Sequence, residues 1–210
     1  MNNELKLAIF DLRQVCIRTH LERCYIDWEE MAGIRPGSLS RDFPIDDQYE
    51  EYERGTVSGR AYAEYFCMVS GFVLDFEQWK EGWNSMFGEV IDSTMNTVRS
   101  MQEAGVTVVA MSNTNATHTE YLQENYKGLS SAFDHRYLSN EIGMRKPEPR
   151  VFKFILEQYK CDPSEVVYFD DLKQHVEAAS RLGIGPIRSS FPPLRIPIAS
   201  LAVSESECTH

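Results

Sequence analysis

Residues 5–15 read LKLAIFDLRQV and join a short apolar run to the acidic residue Asp11. Such a run is typical of a strand that is buried on both faces of a parallel sheet. We therefore predict a strand over Leu5–Phe10 that ends at Asp11. A carboxylate at the carboxyl end of a buried strand lies at the edge where α/β sheets bind their ligands.

Four further runs predict strands farther along the chain. They cover Val106–Met111, His135–Leu138, Val166–Phe169 and Ile184–Arg188. Between them, apolar residues recur at helical spacing. The predicted helices cover Val90–Ala104, Pro149–Lys160 and Gln174–Leu182. Strand and helix thus alternate from about residue 90 onward, which predicts an α/β fold with a Rossmann-like parallel sheet as its core.

Residues 16–88 break this alternation. The segment is rich in aromatic and charged residues, and it shows no strong strand pattern. We predict that it forms a small, mostly helical cap inserted after the first strand, with its aromatic residues packed inside. The core domain would then consist of residues 1–15 and 89–210.

The composition is that of an ordinary globular protein, with 42% hydrophobic and 25% charged residues in a chain of 210. This length suits one core domain with a small cap. The formal net charge of −11 indicates no basic face, so we expect no nucleic-acid partner. An acidic chain can still bind a small phosphorylated metabolite where it concentrates positive charge locally.

The cysteines favour neither a disulfide framework nor a zinc site. They are Cys16, Cys24, Cys67, Cys161 and Cys208. Their number is odd, their spacing is irregular and no CxxC pair occurs, which predicts reduced thiols in a cytoplasmic protein. The sequence shows no secretory signal and no run of the roughly 18–20 apolar residues that span a bilayer. We expect no membrane partner, and the sequence leaves the oligomeric state open.

Polar residues follow the predicted strands at one edge of the sheet. Asp11 ends the first strand, Ser112 and Asn113 follow VVAM, and Asp170 and Asp171 follow VVYF. A strand-end carboxylate can attack phosphorus and bind Mg²⁺, and two adjacent carboxylates favour such a hard cation. A hydroxyl with free backbone N–H groups can hold a phosphate oxygen. Taken singly, each residue also fits a turn, a helix cap or a solvent-facing acid.

Lys146 lies in the string GMRKPEPRVF, before Pro147 and the predicted helix. A lysine there can neutralise a phosphate oxygen and the Asp11 carboxylate as a compact point charge. The alternative is a solvated surface residue, a role that suits its neighbour Arg145 better.

This ordered set of residues resembles the four sequence motifs of the haloacid-dehalogenase-like superfamily of hydrolases. The resemblance extends from Leu5 to about Arg188. The strings YEEYERGTVSGRAYAEYF, MSNTN, YLSNEIGMRKPEPRVF and VVYFDD are similar to those of a sugar-phosphate phosphatase branch of that superfamily. The branch includes glucose-1-phosphate phosphatases and the phosphatase domain of bifunctional epoxide hydrolases.

The resemblance implies a Mg²⁺-dependent phosphatase that acts on a small phosphorylated metabolite, such as a sugar phosphate. Asp11 would be the nucleophile that forms an aspartyl-phosphate, and Lys146 would orient it. Ser112 and Asn113 would bind the transferring phosphoryl group, and the cap would select the substrate. The implied Mg²⁺ ligands are Asp11, the backbone carbonyl of Arg13, Asp171 and Asp170.

The sequence departs from the family pattern at Arg13. The first motif of the family has a second Asp there, which protonates the leaving group and then activates water. Arginine cannot serve as a general acid at pH 7. Two outcomes are open. Arg13 contacts a phosphate or carboxylate of the substrate, which preserves activity toward good leaving groups, or it pairs with Asp11 or Asp171 in the space of Mg²⁺.

Two alternative functions follow from these residues. The first is a metal-free 2-haloacid dehalogenase in which Asp11 attacks carbon, but the pair Asp170 and Asp171 indicates a metal. The second is a catalytically impaired pseudophosphatase or binding protein, for which Arg13 is the main support. A further departure is His175, where a related DDxxxN pattern places Asn. It puts in doubt the contacts around the metal site and the start of the last helix.

Overall fold

The structure is a computed structural model that describes residues 4–188; residues 189–210 of the predicted core lie outside this range. The strands are β1 (Leu7–Phe10), β2 (Ile17–Thr19), β3 (Phe87–Val90), β4 (Thr107–Ser112), β5 (His135–Leu138), β6 (Val166–Asp170) and β7 (Gly185–Arg188). The helices are α1 (Leu21–Met31), α2 (Asp47–Glu53), α3 (Gly59–Ser70), α4 (Phe76–Asn84), α5 (Asp92–Glu103), α6 (Ala116–Asn125), α7 (Lys127–Ser130), α8 (Ser139–Ile142), α9 (Pro149–Tyr159) and α10 (Lys173–Ser180). None of these helices has the length and apolarity that crossing a membrane demands.

The predicted parallel sheet is confirmed, with five strands in the order β5-β4-β1-β6-β7. Strand β1 lies at the centre, and its residue Phe10 is level with Ala110 on β4 and Phe169 on β6. Because neighbouring strands are in register, the residues that follow them meet at one edge of the sheet. This edge receives Asp11, Ser112 and Asp170.

Strand β1 is buried on both faces, as its apolar sequence predicts. Ala8 and Phe10 face a core cluster that continues into the cap. Leu7 and Ile9 face the opposite cluster, which includes residues of α9 and α10. All four side chains are fully buried. The two-sided burial explains why the run lacks the polar alternation of a half-exposed strand.

The inserted segment is mostly helical, as predicted, and contains α1 to α4. The sequence shows no strong strand pattern here, but a short strand lies at each end of the segment. There β2 and β3 pair as a short antiparallel ribbon, with Ile17 opposite Val90 and Thr19 opposite Phe87. The paired segments have only three and four residues. That is too few for a period of two to stand out in the sequence.

The interior of the cap consists of stacked aromatic rings. The ring of Trp28 lies 6.1 Å from that of Trp79 and 5.8 Å from that of Trp83, nearly parallel to both. Gly82 permits this packing, since a Cβ there would lie 2.4 Å from Trp28 Cδ1. The aromatic residues of the segment thus have the packing role expected from the sequence.

His118 on α6 joins the core to the cap. Its ring stacks on Trp83 at 4.5 Å, and its Nε2 lies 3.2 Å from the Trp83 carbonyl oxygen. Since a carbonyl only accepts, Nε2 carries the proton, and Nδ1 accepts from Asn115 Nδ2 at 3.1 Å. Burial lowers the pKa of His118 to about 3, and the nearby Arg13 charge adds to the shift.

We predict an acid-sensitive contribution of His118 to stability. Its pKa rises from about 3 in the folded state to 6.5 on unfolding, so the unfolded state binds the extra proton between these values. The free energy of unfolding should therefore fall as pH drops below 6.5, by up to about 1.4 kcal/mol per pH unit. Urea unfolding of His118→Gln between pH 7 and pH 4 should show a shallower pH dependence.

The matched control is His135→Gln, because His135 is exposed. This variant should reproduce the pH dependence of the wild type. An unchanged pH dependence in His118→Gln would show that other groups cause the acid sensitivity.

Candidate active site

A buried lysine lies between two carboxylates at the carboxyl edge of the sheet. Lys146 Nζ donates to Asp11 Oδ1 at 2.6 Å and to Asp170 Oδ2 at 2.9 Å. Lys146 is 1% exposed and Asp170 is fully buried. Burial opposes the charge of the lysine, but the two carboxylates raise its pKa above the usual value. Lys146 is therefore a charged part of the site and not a solvated surface residue.

Three acids converge at this edge. One carboxylate oxygen from each of Asp11, Asp170 and Asp171 lies within 4.8 Å of the others. Burial raises the pKa of Asp11 to about 6; Lys146 opposes this shift, and Asp170 adds to it. Burial and the neighbouring Asp170 also raise the pKa of Asp171. Three acids around one lysine leave an excess of negative charge that favours a cation.

Asp170 and Asp171 differ in their surroundings. Besides Lys146, the Asp170 carboxylate accepts from the Tyr168 hydroxyl and from the backbone N–H of Leu172. Burial opposes its ionisation, but Lys146 and the other donors hold its pKa below the usual range. Asp171 is only half-buried and faces a cavity. Its carboxylate is thus accessible to a small ligand.

His175, at the position where a related pattern has Asn, contacts Asp170. Its Nδ1 lies 3.1 and 3.0 Å from the two carboxylate oxygens. Because a carboxylate accepts, Nδ1 is the protonated nitrogen. Helix α10 begins at Lys173, one residue before the predicted start. The histidine therefore leaves the helix start intact and hydrogen-bonds the buried acid.

Ser112 and Asn113 lie at the carboxyl end of β4, as the sequence predicts, but their side chains have different contacts. Ser112 Oγ lies 3.5 Å from the Asn113 carbonyl oxygen, at the long limit for a hydrogen bond, and can rotate toward a ligand. The Asn113 side chain, which was predicted to bind the phosphoryl group, forms two hydrogen bonds with the Lys146 backbone. It accepts from the Lys146 N–H at 2.8 Å and donates to the Lys146 carbonyl at 2.9 Å.

A cavity of about 130 Å³ opens at these residues. It is lined by Asp11, Arg13, Gln14, Thr19, Asn113, Lys146, Asp171, Leu172 and His175. Three residues predicted as catalytic groups or metal ligands, Asp11, Lys146 and Asp171, thus line one cavity. Arg13 and Gln14 of the loop after β1 line it as well. Of the predicted site residues, Ser112 and Asp170 lie beside this lining.

Arg13 lies between the sheet edge and the cap. Burial opposes its charge, but Tyr49, Glu53 and Asp11 raise its pKa, so it stays a guanidinium ion. Within residues 4–188, Arg13 forms no ion pair within 4 Å with an acidic side chain. It therefore does not pair directly with Asp11 or Asp171, although it lines the same cavity as both.

Two charged residues were missed or misjudged from the sequence. Glu53 on α2 is 1% exposed and accepts from Arg145 Nε at 3.0 Å and Nη2 at 2.6 Å. The expectation that Arg145 is a solvated surface residue is wrong, because it also pairs with Glu50 at 2.8 Å. The partners are far apart in sequence, and no local pattern marks them. Only the docking of α2 beside residue 145 brings them together.

Comparisons with known proteins agree with this geometry. A family model for haloacid dehalogenase-like hydrolases matches residues 6–183. The D-ribitol-5-phosphate phosphatase of Bacteroides thetaiotaomicron is 28% identical over 190 residues, which are 85% of this chain and 89% of that protein. Bifunctional epoxide hydrolase 2 of Rattus norvegicus is 41% identical over 56 residues, 27% of this chain and 10% of that protein.

Solved structures share the whole fold. A haloacid dehalogenase family enzyme from Bacteroides thetaiotaomicron, crystallised with magnesium and inorganic phosphate, superposes with a TM-score of 0.77. The two chains are 25% identical, and the match covers 94% of this chain and 98% of the other.

We predict that Glu53 holds the cap to the core. Glu53→Gln would leave Arg145 without its buried partner, and breaking a buried ion pair on one side costs about 3–5 kcal/mol. Chemical denaturation should reveal the loss. Glu50→Gln is the matched control, because Glu50 contacts the same arginine from a side chain that is 40% exposed. It should cost less than about 1 kcal/mol. Equal losses in the two variants would contradict the assignment.

Proposed function

The chain belongs to the haloacid dehalogenase-like hydrolase family, and we propose that it is a Mg²⁺-dependent phosphatase for a small phosphorylated metabolite. Asp11 would attack phosphorus and form an aspartyl-phosphate. The convergence of Asp11, Asp170 and Asp171 around Lys146 is the observation that carries this proposal. The phosphatase among its relatives and the family structure with magnesium and phosphate support it.

The residues at the sheet edge fit a magnesium ion. Mg²⁺ prefers hard oxygen ligands, and carboxylates and backbone carbonyls supply them. We assign Asp11, the backbone carbonyl of Arg13 and Asp171 as ligands, because Asp11, Arg13 and Asp171 all line the cavity. Asp170 is saturated by protein donors, so we assign it to positioning Lys146. When bound, Mg²⁺ would offset the charge between the Asp11 carboxylate and the substrate phosphate.

The chain's own residues divide the remaining work. Lys146 holds Asp11 Oδ1 at 2.6 Å, which leaves the other carboxylate oxygen for attack on phosphorus. Ser112 Oγ and the backbone N–H groups of the turn around Asn113 would bind the phosphoryl oxygens. Water then attacks phosphorus in the aspartyl-phosphate, which releases phosphate and restores Asp11.

The size of the cavity supports a small substrate. A space of about 130 Å³ suits a phosphate group with a small leaving group, and a sugar phosphate is one candidate class. Cys16, Cys24, Cys67 and Cys161 are free, which supports the predicted reducing, cytoplasmic location.

The alternatives find less support. A metal-free dehalogenase has no use for the accessible Asp171 carboxylate beside Asp11. A pseudophosphatase would require Arg13 to displace the cation, yet Arg13 is hydrogen-bonded to Tyr49 of the cap and pairs with no acid within 4 Å among the described residues.

The central prediction is Mg²⁺-dependent hydrolysis of an aryl phosphate that requires Asp11. Released phosphate should be lost on adding EDTA and restored by Mg²⁺. Asp11→Asn removes the nucleophile and should lower kcat by at least about 10³-fold. Activity that survives in Asp11→Asn would contradict the proposal. Chloride release from 2-chloropropionate without Mg²⁺ would favour the dehalogenase instead.

A second prediction concerns the metal ligands. Asp171→Asn removes a cavity-facing oxygen charge and should weaken Mg²⁺ binding by at least about tenfold in isothermal titration calorimetry. Asp42→Asn is the matched control, since Asp42 is exposed on the cap. The assignment of Asp171 fails if both variants bind Mg²⁺ like the wild type.

A further inference from the structure

The position of Arg13 raises a chemical question about the proposed reaction. Cleavage of a phosphate ester leaves negative charge on the bridging oxygen, which a general acid usually neutralises with a proton. Here the residue two places after the nucleophile is an arginine that lines the same cavity as Asp11. A guanidinium ion donates hydrogen bonds, but it does not release a proton near pH 7.

The charge of Arg13 is available to a substrate. Glu53 on the cap raises the pKa of Arg13, but the Glu53 carboxylate already accepts hydrogen bonds from Arg145 at 2.6 and 3.0 Å. Tyr49, the other cap neighbour, is hydrogen-bonded to Arg13, but its hydroxyl is neutral and leaves the charge of the guanidinium ion unbalanced. With no acid within 4 Å among the described residues, Arg13 is a partly buried cation that favours an anion from the substrate.

Most other groups lining the cavity are committed to contacts with the protein. Lys146 is held by two carboxylates, and His175 directs Nδ1 to Asp170. Gln14 donates to the Thr19 carbonyl at 2.7 Å and does not titrate. Asp171 carries the role of metal ligand in the proposed function.

We propose that Arg13 binds the bridging oxygen and stabilises the leaving group as an anion, without transferring a proton. The substrates are then phosphates whose leaving group is a stable anion near neutral pH: acyl, enol or aryl phosphates. Alkyl phosphates of simple alcohols are poor substrates. This inference rests on the proposed phosphatase function and narrows its substrate class.

The chemistry balances without an acid. An Asp11 carboxylate oxygen bonds to phosphorus, the bridging P–O bond breaks, and the leaving group keeps the electron pair as a carboxylate, enolate or phenolate ion. A water oxygen then bonds to phosphorus, and the bond between phosphorus and Asp11 breaks. The water protons go to the phosphate product and the solvent, and Asp11 is restored as a carboxylate.

The test compares kcat/KM over a series of leaving groups, from acetyl phosphate through nitrophenyl and phenyl phosphates to primary alkyl phosphates. In the wild type, log kcat/KM should fall steeply as the pKa of the leaving group rises. Arg13→Asp supplies a carboxylic acid. It should flatten this dependence and raise alkyl phosphate hydrolysis by about 10²-fold or more. Arg13→Gln should lower turnover of the acyl and aryl phosphates.

The control is Arg23→Gln, since Arg23 is exposed on α1 and should match the wild type throughout. Thermal unfolding shows whether each variant is folded. If Arg13→Asp fails to fold, the solvent deuterium isotope effect of the wild type tests the proposal by itself. The solvent deuterium isotope effect on kcat/KM should be near one for every substrate, because no proton moves as the ester bond breaks.

The outcomes separate the two proposals. If the wild type hydrolyses aryl and alkyl phosphates equally well, or shows a large solvent isotope effect, the role of Arg13 is overturned while the phosphatase function stands. If no phosphate in the series is hydrolysed with Mg²⁺, the phosphatase function fails and the role of Arg13 fails with it.

Discussion

The contact of Lys146 with Asp11 and Asp170 is the interaction on which the rest of the site depends. One ammonium group, 1% exposed, touches acids from β1 and β6 at 2.6 and 2.9 Å. Removing such charges from water is costly, so the arrangement is stable only when each partner is present and fully hydrogen-bonded. The Asn113 side chain meets this demand by holding the Lys146 backbone in place. Four separate segments of the core are thereby joined at the sheet edge.

The cap contributes to the site through its own ion pairs and through a rigid interior. Its stacked rings, centred on Trp28, fill the interior of the cap. Helix α2 presents Glu53 to Arg145, which follows the core helix α8, and Gly55 fits this approach because a Cβ there would lie 2.2 Å from the Asn140 carbonyl oxygen. The loop after β1 thus holds Asp11, the proposed nucleophile, at one end and Arg13, which is hydrogen-bonded to Tyr49 of the cap, two residues later. In the proposed reaction, Asp11 would bind phosphorus and Arg13 would contact the bridging oxygen.

In the proposed reaction, the single residue Arg13 changes the chemistry on the leaving-group side of this group of charges. In the proposed function, the acids and the lysine act on phosphorus and its oxygens. How the leaving group is stabilised depends on whether residue 13 can donate a proton to it. A guanidinium ion stabilises negative charge electrostatically. This stabilisation is strong in a partly buried site, because the local dielectric constant is lower than that of water.

The sequence by itself determined the parallel sheet, the insertion and the polar residues at the strand ends, because periodicity and strand length are local properties of the chain. It placed Asp11, Ser112 and Asp171 at one edge for the same reason, since parallel strands end there, and the family resemblance added Lys146. Only the tertiary structure decided that Asp170 is buried among donors while Asp171 faces the cavity. It also revealed the ribbon of β2 and β3, the pairing of Glu53 with Arg145 and the direction of Arg13. These features depend on contacts between segments distant in sequence, and the energy of such contacts comes from burial and charge pairing that no local pattern records.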